Sequence, residues 1–326
     1  MQGQFWIIQT LNSVAFGGLL FLLSSGFSLI FGLMRIPNLA HGGFFMLGAY
    51  LGYSLLNRGM NFWAAALIGG LAVGILGVVL ERFLIHPSGR ILRVIGWLFE
   101  KFIFPPLRLN FLVPAWRALL ARFRGLAGNE QGQVLMTLGV SFIIADVCLL
   151  IWTGDPMPLP APVALRRPLF IGGYTFPTYR LVVLGIALLA AVGLYLLMER
   201  TRLGAMIRAG VDDREMARGV GIPVSRLFTI VFLLGATLAG VGGVLGGPIL
   251  NAYPGLDTDM LPLALIVVIL GGAGSLLGAF VGSFAVGFLY NFGIALVPDL
   301  AYFVLFLPMV LVLMFLPQGL FGRVQL

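Results

Sequence analysis

The chain has 326 residues, of which 60% are hydrophobic and only 10% charged, and its mean hydropathy is +1.05. That leaves too little polar surface to close a soluble globule, so the composition excludes a water-soluble enzyme or binding domain and marks a polytopic membrane protein. The formal net charge of +8 sits mostly in linkers, where it reads as membrane topology and not as nucleic-acid affinity.

A membrane-spanning helix needs about 20 mostly apolar residues. Apolar runs fall at 5–33, 40–56, 62–85, 133–152, 181–198, 227–250, 260–272, 275–296 and 300–316. They predict an all-α polytopic membrane protein with about eight to nine transmembrane helices, the 260–272 run being short enough to be re-entrant or to pair with the next run across GGAGS. The runs are longer and more evenly apolar than the strands of a porin-like barrel. The first begins at Phe5 without a charged leader and exceeds a signal segment in length, so it is expected to be retained.

Between the first two runs lies a polar interruption, residues 34 to 43, which carries Arg35, Pro37, Asn38, Ala40, His41, Gly42 and Gly43. Irregular backbone at membrane depth persists only where protein or a water-filled cavity satisfies its polar groups. A broken helix facing a path or a partner is therefore expected here.

The linker at 87–131 holds Arg90, Arg93, Lys101, Arg108, Arg117, Arg122 and Arg124, and the linker at 199–226 holds Arg200, Arg202, Arg208, Arg214, Arg218 and Arg226. Cytoplasmic ends of spans are rich in Lys and Arg, and two passes separate the linkers, so both are placed in the cytoplasm. In the first linker, residues 91–102 and 116–124 show apolar and basic faces at helical spacing, which predicts two amphipathic helices lying against lipid headgroups. Pro105 and Pro106 disfavour an extra membrane hairpin there. The opposite face receives Arg58, Arg166, Arg167, Arg180 and the Pro-rich loop GDPMPLPAPVALRRP, expected to be irregular.

In the second linker, residues 204–220 predict one short helix that exposes Asp212, Asp213, Arg214, Glu215 and Arg218 and is stopped by Gly221 and Pro223. Held between two spans and ended sharply, it is shaped to transmit motion from a soluble partner.

Reactive groups are few. With Cys148 alone among cysteines and only His41 and His86 among histidines, neither a disulfide framework nor a metal site is expected. No HExxH, GxSxG or Walker A loop occurs, so the chain is not expected to be an enzyme or to hydrolyse ATP. Asp146 stands inside an apolar run, where an acid is a candidate functional site. Two readings stand: a proton relay with His41 in a secondary carrier, or a carboxylate hydrogen-bonded inside the helix bundle.

Three blocks, NLAHGGFFMLGAY, RTRLGAMIRAGVDDREMARGVGIPVSRLF and LALIVVILGGAGSLLGAFVGS, resemble in sequence and order the LivH-type permeases of branched-chain amino acid ABC importers. The resemblance covers nearly the whole chain and implies one permease domain over 1–326. It further implies a LivM-like second permease, two cytoplasmic ATPase subunits that bind the ATP, a substrate-binding protein on the outer side, surrounding lipid and no nucleic acid. By the same resemblance Asn38, Ala40, His41 and Gly42 border the translocation path. Arg208, Asp212, Asp213, Glu215, Ala217 and Gly221 fall in the loop that couples to an ATPase. Importers of urea, short amides or other amino acids resemble this subunit closely, and the long 87–131 linker departs from the family pattern.

Overall fold

The computed structural model describes residues 2–82, 97, 101, 113–127, 129–171 and 173–322. In chain order the helices are α1 Gln2–Met34, α2 His41–Asn57, α3 Phe62–Leu80, α4 Val113–Ala127, α5 Glu130–Trp152, α6 Thr178–Arg200, α7 Arg202–Asp212, α8 Arg214–Gly219, α9 Val224–Leu250, α10 Leu256–Gly271, α11 Leu276–Leu296 and α12 Ala301–Phe315. Starts follow side-chain caps: Asn61 accepts from the Trp63 amide, Asn129 from Gly132, Thr201 from Gly204 and Ser275 from Gly278. The chain is thus an all-α polytopic membrane protein. Seven helices among the described residues are long and apolar enough to cross a bilayer: α1, α3, α5, α6, α9, α11 and the segment Pro298–Phe315.

The helices α2 and α10, at 17 and 16 residues, fall short of that length and span only about 25 Å each. They occupy the bundle interior; every residue of α2 from His41 to Tyr50 is buried. Their short length is tolerated because protein, not lipid, surrounds them.

Close backbone approaches fix the course of the chain. Leu19 and Gly246 touch near one end of α1 and α9 and Gly26 and Gly235 further along, so these helices are antiparallel. Likewise Gly17 meets Phe284 while Gly32 meets Gly274, which sets α11 antiparallel to α1. Small residues allow this proximity where apolarity alone would give no association between helices. At one end of the bundle Arg82, after α3, donates to Thr229 of α9 at 3.2 Å and Arg35 donates to α7. At the other end, Met157 and Ala252 form an antiparallel bridge. Positive residues therefore collect on the α7–α8 side, the side that Lys and Arg retention would make cytoplasmic.

Beyond the Pro-rich loop, Pro168–Ile171 and Tyr174–Pro177 pair as a short antiparallel hairpin, with Leu169 opposite Phe176. The tail returns to the α10 end, its Leu320 and Phe321 amides donating to the Leu270 and Gly271 carbonyls. Helix α4 covers the second of the two surface helices expected in the 87–131 linker; of the first, 91–102, all but Trp97 and Lys101 lies outside the described residues, as do Pro105 and Pro106. Lys101 places its ammonium 4.7 Å over the Trp97 ring. The single helix expected at 204–220 is two, α7 and α8. Asp213 breaks it in extended geometry, its carboxylate accepting from the Glu215 and Met216 amides at 2.8 and 3.0 Å.

Candidate functional site

The polar interruption ends α1 at Arg35, which adopts φ 58° as its amide closes on the Phe31 carbonyl at 2.7 Å. Backbone groups of the break are then met locally: the Asn38 side-chain oxygen accepts from the Ala40 amide at 3.1 Å, and the Leu39 amide donates to Thr137 of α5 at 3.1 Å. His41, fully buried, opens α2. Its Nε2 lies 3.0 Å from the Leu23 carbonyl; a carbonyl only accepts, so Nε2 carries the proton. The ring packs between Phe27 and Phe44, with centroids 5.3 and 6.1 Å away. Gly42 faces the start of α10 so closely that a Cβ there would stand 2.5 Å from the Asp257 carbonyl oxygen.

Asn38, Ala40, His41 and Gly42 thus come together, and all four are buried. Beside Asn38 and Ala40 lies a cavity of about 10 Å³, closed by Phe44, Leu80, Thr137, Val140 and Phe232, room for about one water. Buried side-chain atoms with no hydrogen-bond partner include Asn38 Nδ2 beside this cavity and, elsewhere on α1, α2 and α10, Ser24 Oγ, His41 Nδ1, Tyr50 OH and Asp257 Oδ1. Native interiors satisfy nearly all such atoms, which makes Asn38 Nδ2 and His41 Nδ1 in the break candidates for contact with water or solute. Asp257, 5% exposed with Ser141 Oγ at 3.5 Å, joins these core residues although in sequence it stands as a loop acid ahead of the 260–272 run.

Asp146 does not join this group. It lies on the exposed face of α5, whereas His41 contacts Leu23, Phe27 and Phe44 in the core. Neither the relay with His41 nor a hydrogen-bonded position inside the bundle is found, because helical phase turns Asp146 outward from the face carrying Thr137, Ser141, Ile144 and Cys148.

The hairpin α7–α8 holds the second group. Arg208 pairs with Glu199 at 3.3 Å and donates to the Met198 carbonyl, tying α7 to the end of α6. Gly221, at φ 86°, donates to the Arg218 carbonyl and ends α8, with Ala217 buried beneath the turn. Arg214 is not exposed as expected. Its guanidinium carbon sits 5.2 Å over the Phe228 ring, and burial, then the nearby Arg35 charge, lower its pKa. Met216 and Val220, 66% and 69% exposed, project from the hairpin. Their signal in sequence is apolar residues in a loop otherwise made of Arg, Asp and Glu.

The hairpin group and Arg35, at the start of the break, open on one cavity of about 1270 Å³, lined also by Arg208, Asp212, Asp213, Glu215 and Tyr195 of α6 among others, while Asn38, Ala40, His41 and Gly42 stay buried away from it. Arg35 bridges the groups, donating to the Val211 and Asp212 carbonyls at 3.4 and 3.2 Å. No group of three or more His, Cys, Asp or Glu placed to hold a metal ion occurs among the described residues.

Residues 9–313 match the family described as branched-chain amino acid transport system / permease component. The chain is 25% identical over 328 residues to the high-affinity branched-chain amino acid transport system permease protein LivH of Salmonella typhimurium, covering 98% of this chain and 96% of that one. It is likewise 25% identical to the corresponding permease BraD of Pseudomonas aeruginosa, over the same shares of each chain. A third relative, the autoinducer 2 import system permease protein LsrC of Klebsiella pneumoniae, is 34% identical over 179 residues, 51% of this chain and 50% of that one. No solved structure matches the chain. With its buried broken helix, its α7–α8 hairpin and a family match over nearly its whole length, the chain belongs to the branched-chain amino acid transport permeases, multi-pass proteins of the cytoplasmic membrane.

Proposed function

We propose that the chain is the permease subunit of an importer of leucine, isoleucine and valine, driven by ATP hydrolysed on two cytoplasmic partner subunits. It pairs with a second, LivM-like permease and receives substrate from a binding protein on the outer side. The observation that carries this reading is the hairpin α7–α8, which exposes apolar Met216 and Val220 on the cytoplasmic side while Arg35 bonds its end to the broken helix. Apolar side chains outside the membrane at such exposure suit burial against a soluble protein. The amino-acid substrate is favoured over autoinducer 2 because LivH and BraD align with 98% of this chain, against 51% and 72% for two LsrC relatives.

Substrate moves past the broken stretch at Arg35 to Gly43, where buried polar atoms lacking partners lie, and leaves through the cytoplasmic cavity beside the hairpin. The described state is closed at His41. Closure of the ATPase pair presses on residues 208–223, and Arg35 carries the displacement to the break; release reverses it. The residues of this chain supply a path and a lever, and the ATP chemistry belongs to the partners.

The test is a mild-detergent purification of the tagged chain from its native membranes, with copurifying proteins identified by mass spectrometry. Two Walker-motif ATPases and a second permease are expected, and Met216→Asp with Val220→Asp removes the ATPases while the second permease stays. Recovery of the chain alone, transporting in liposomes on an ion gradient, overturns the reading.

A further inference from the structure

Helix α5 is peripheral: one face packs against α2 and the broken stretch, while Leu135, Gly139, Phe142, Ile143, Asp146 and Leu150 point away from the protein. Exposure reaches 60% at Phe142 and Ile143 and 83% at Leu150. Asp146 is exposed in the same stripe. It lies six residues before the outer end of α5 at Trp152, about 9 Å inward at 1.5 Å per residue, and so inside a hydrocarbon layer about 30 Å thick. Among the described residues nothing donates to its carboxylate. A carboxylate aimed into lipid at this depth is costly, and such residues face protein or a water-filled path. Gly139, two turns away on the same face, has open space where a Cβ would stand, which leaves room for another helix to come close.

We infer that this face of α5 is where a different membrane-embedded chain packs, presenting a hydrogen-bond donor or cation to Asp146. The chemistry selects a different chain over a second copy. Pairing α5 with itself about a two-fold axis would set Asp146 against Asp146, a like-charge contact in a low-dielectric layer. The opposite face of α5 holds Thr137 against Leu39, Ile144 against Gly43 and Ser141 against Asp257. A chain seated on α5 therefore stands one helix away from the broken stretch, which extends the reading of the chain as one half of a permease pair and rests on it.

The experiment places a photoreactive phenylalanine analogue at Leu150 or Ile143, and as a control at Leu189 on the exposed face of α6, in the complete assembly in native membranes. The expected result is an adduct from the α5 positions, not from Leu189, with an integral-membrane chain of different sequence. Its captured segment carries Asn, Gln, His, Lys or Arg at the depth of Asp146. In addition, Asp146→Leu lowers recovery of that chain about tenfold or more, whereas Asp146→Asn, which still accepts a hydrogen bond, retains it. Asp146→Leu is more lipid-compatible than the native residue, so membrane insertion is unaffected and the loss reads the contact itself. Adducts with lipid alone, adducts between two copies of this chain, a captured segment lacking any donor, or unchanged recovery with Asp146→Leu overturns the inference. Copurification of the ATPases in the same preparation reports on the importer reading separately.

Discussion

The guanidinium of Arg35 donates to the carbonyl of Asp212 at 3.2 Å, joining the first residue after α1 to the last residue of α7. The carbonyls that end a helix lack intrahelical partners and carry partial negative charge, so a cation there both satisfies and anchors them. The same residue begins the break that leads to Asn38 and His41. Arg35 thus ties the hairpin to the broken stretch, beside the packing of Gly210 of α7 near Leu33 of α1.

Removing that side chain separates the two. In the reconstituted transporter, Arg35→Ala is expected to lower uptake about tenfold, in line with a charged hydrogen bond contributing ~1.5–3 kcal/mol. ATP hydrolysis and ATPase copurification persist, and Arg35→Lys recovers part of the uptake. Paired uptake and hydrolysis assays in proteoliposomes check this; equal loss of both activities would contradict a lever role.

Gly42 has no room for a side chain. Its neighbour is the backbone of Asp257 at the start of α10, which cannot swing aside as a long side chain could. Gly42→Ala is expected to cost ~1–3 kcal/mol by pushing α2 and α10 apart, seen as a lower thermal midpoint in detergent. Gly139→Ala, with open space at that position, leaves the midpoint unchanged.

Thr137 holds the break from outside it by accepting from the Leu39 amide at 3.1 Å while donating to Val134. Thr137→Val keeps the shape but leaves a buried N–H without an acceptor, at a cost of ~1–3 kcal/mol. Thr137→Ser keeps the bond and stays near the native midpoint. Amide exchange at Leu39, faster in Thr137→Val alone, reads the same contact directly.

The end of α8 depends on Gly221 at φ 86°. Gly221→Ala forces a Cβ into a left-handed conformation at ~1 kcal/mol, and Gly221→Trp adds bulk at the exposed turn. Both are expected to uncouple hydrolysis from uptake, the second more strongly. Glu215→Arg, which places a cation in the first turn of a helix whose N-terminus favours acids, acts in the same direction. Normal uptake by all three variants would remove the coupling assignment.

Apolar run length and its interruption were enough, from sequence, to read the helical class and the position of the break, because bilayer thickness acts on local sequence. The break itself was legible because Arg35, Pro37, Asn38 and His41 interrupt an apolar stretch that lipid alone would not tolerate. What sequence left open depends on which face of each helix meets a neighbour. Asp146 and Ser141 sit five residues apart on α5, yet helical phase turns one outward and sets the other beside Asp257. Asp213 splits the helix expected at 204–220 because its carboxylate competes for backbone amides, a local outcome that hydrophobic period does not report. Only the tertiary structure could place Arg35 against Asp212, 177 residues away, since long-range contact is decided by how Gly-lined helices cross and not by any segment's own composition.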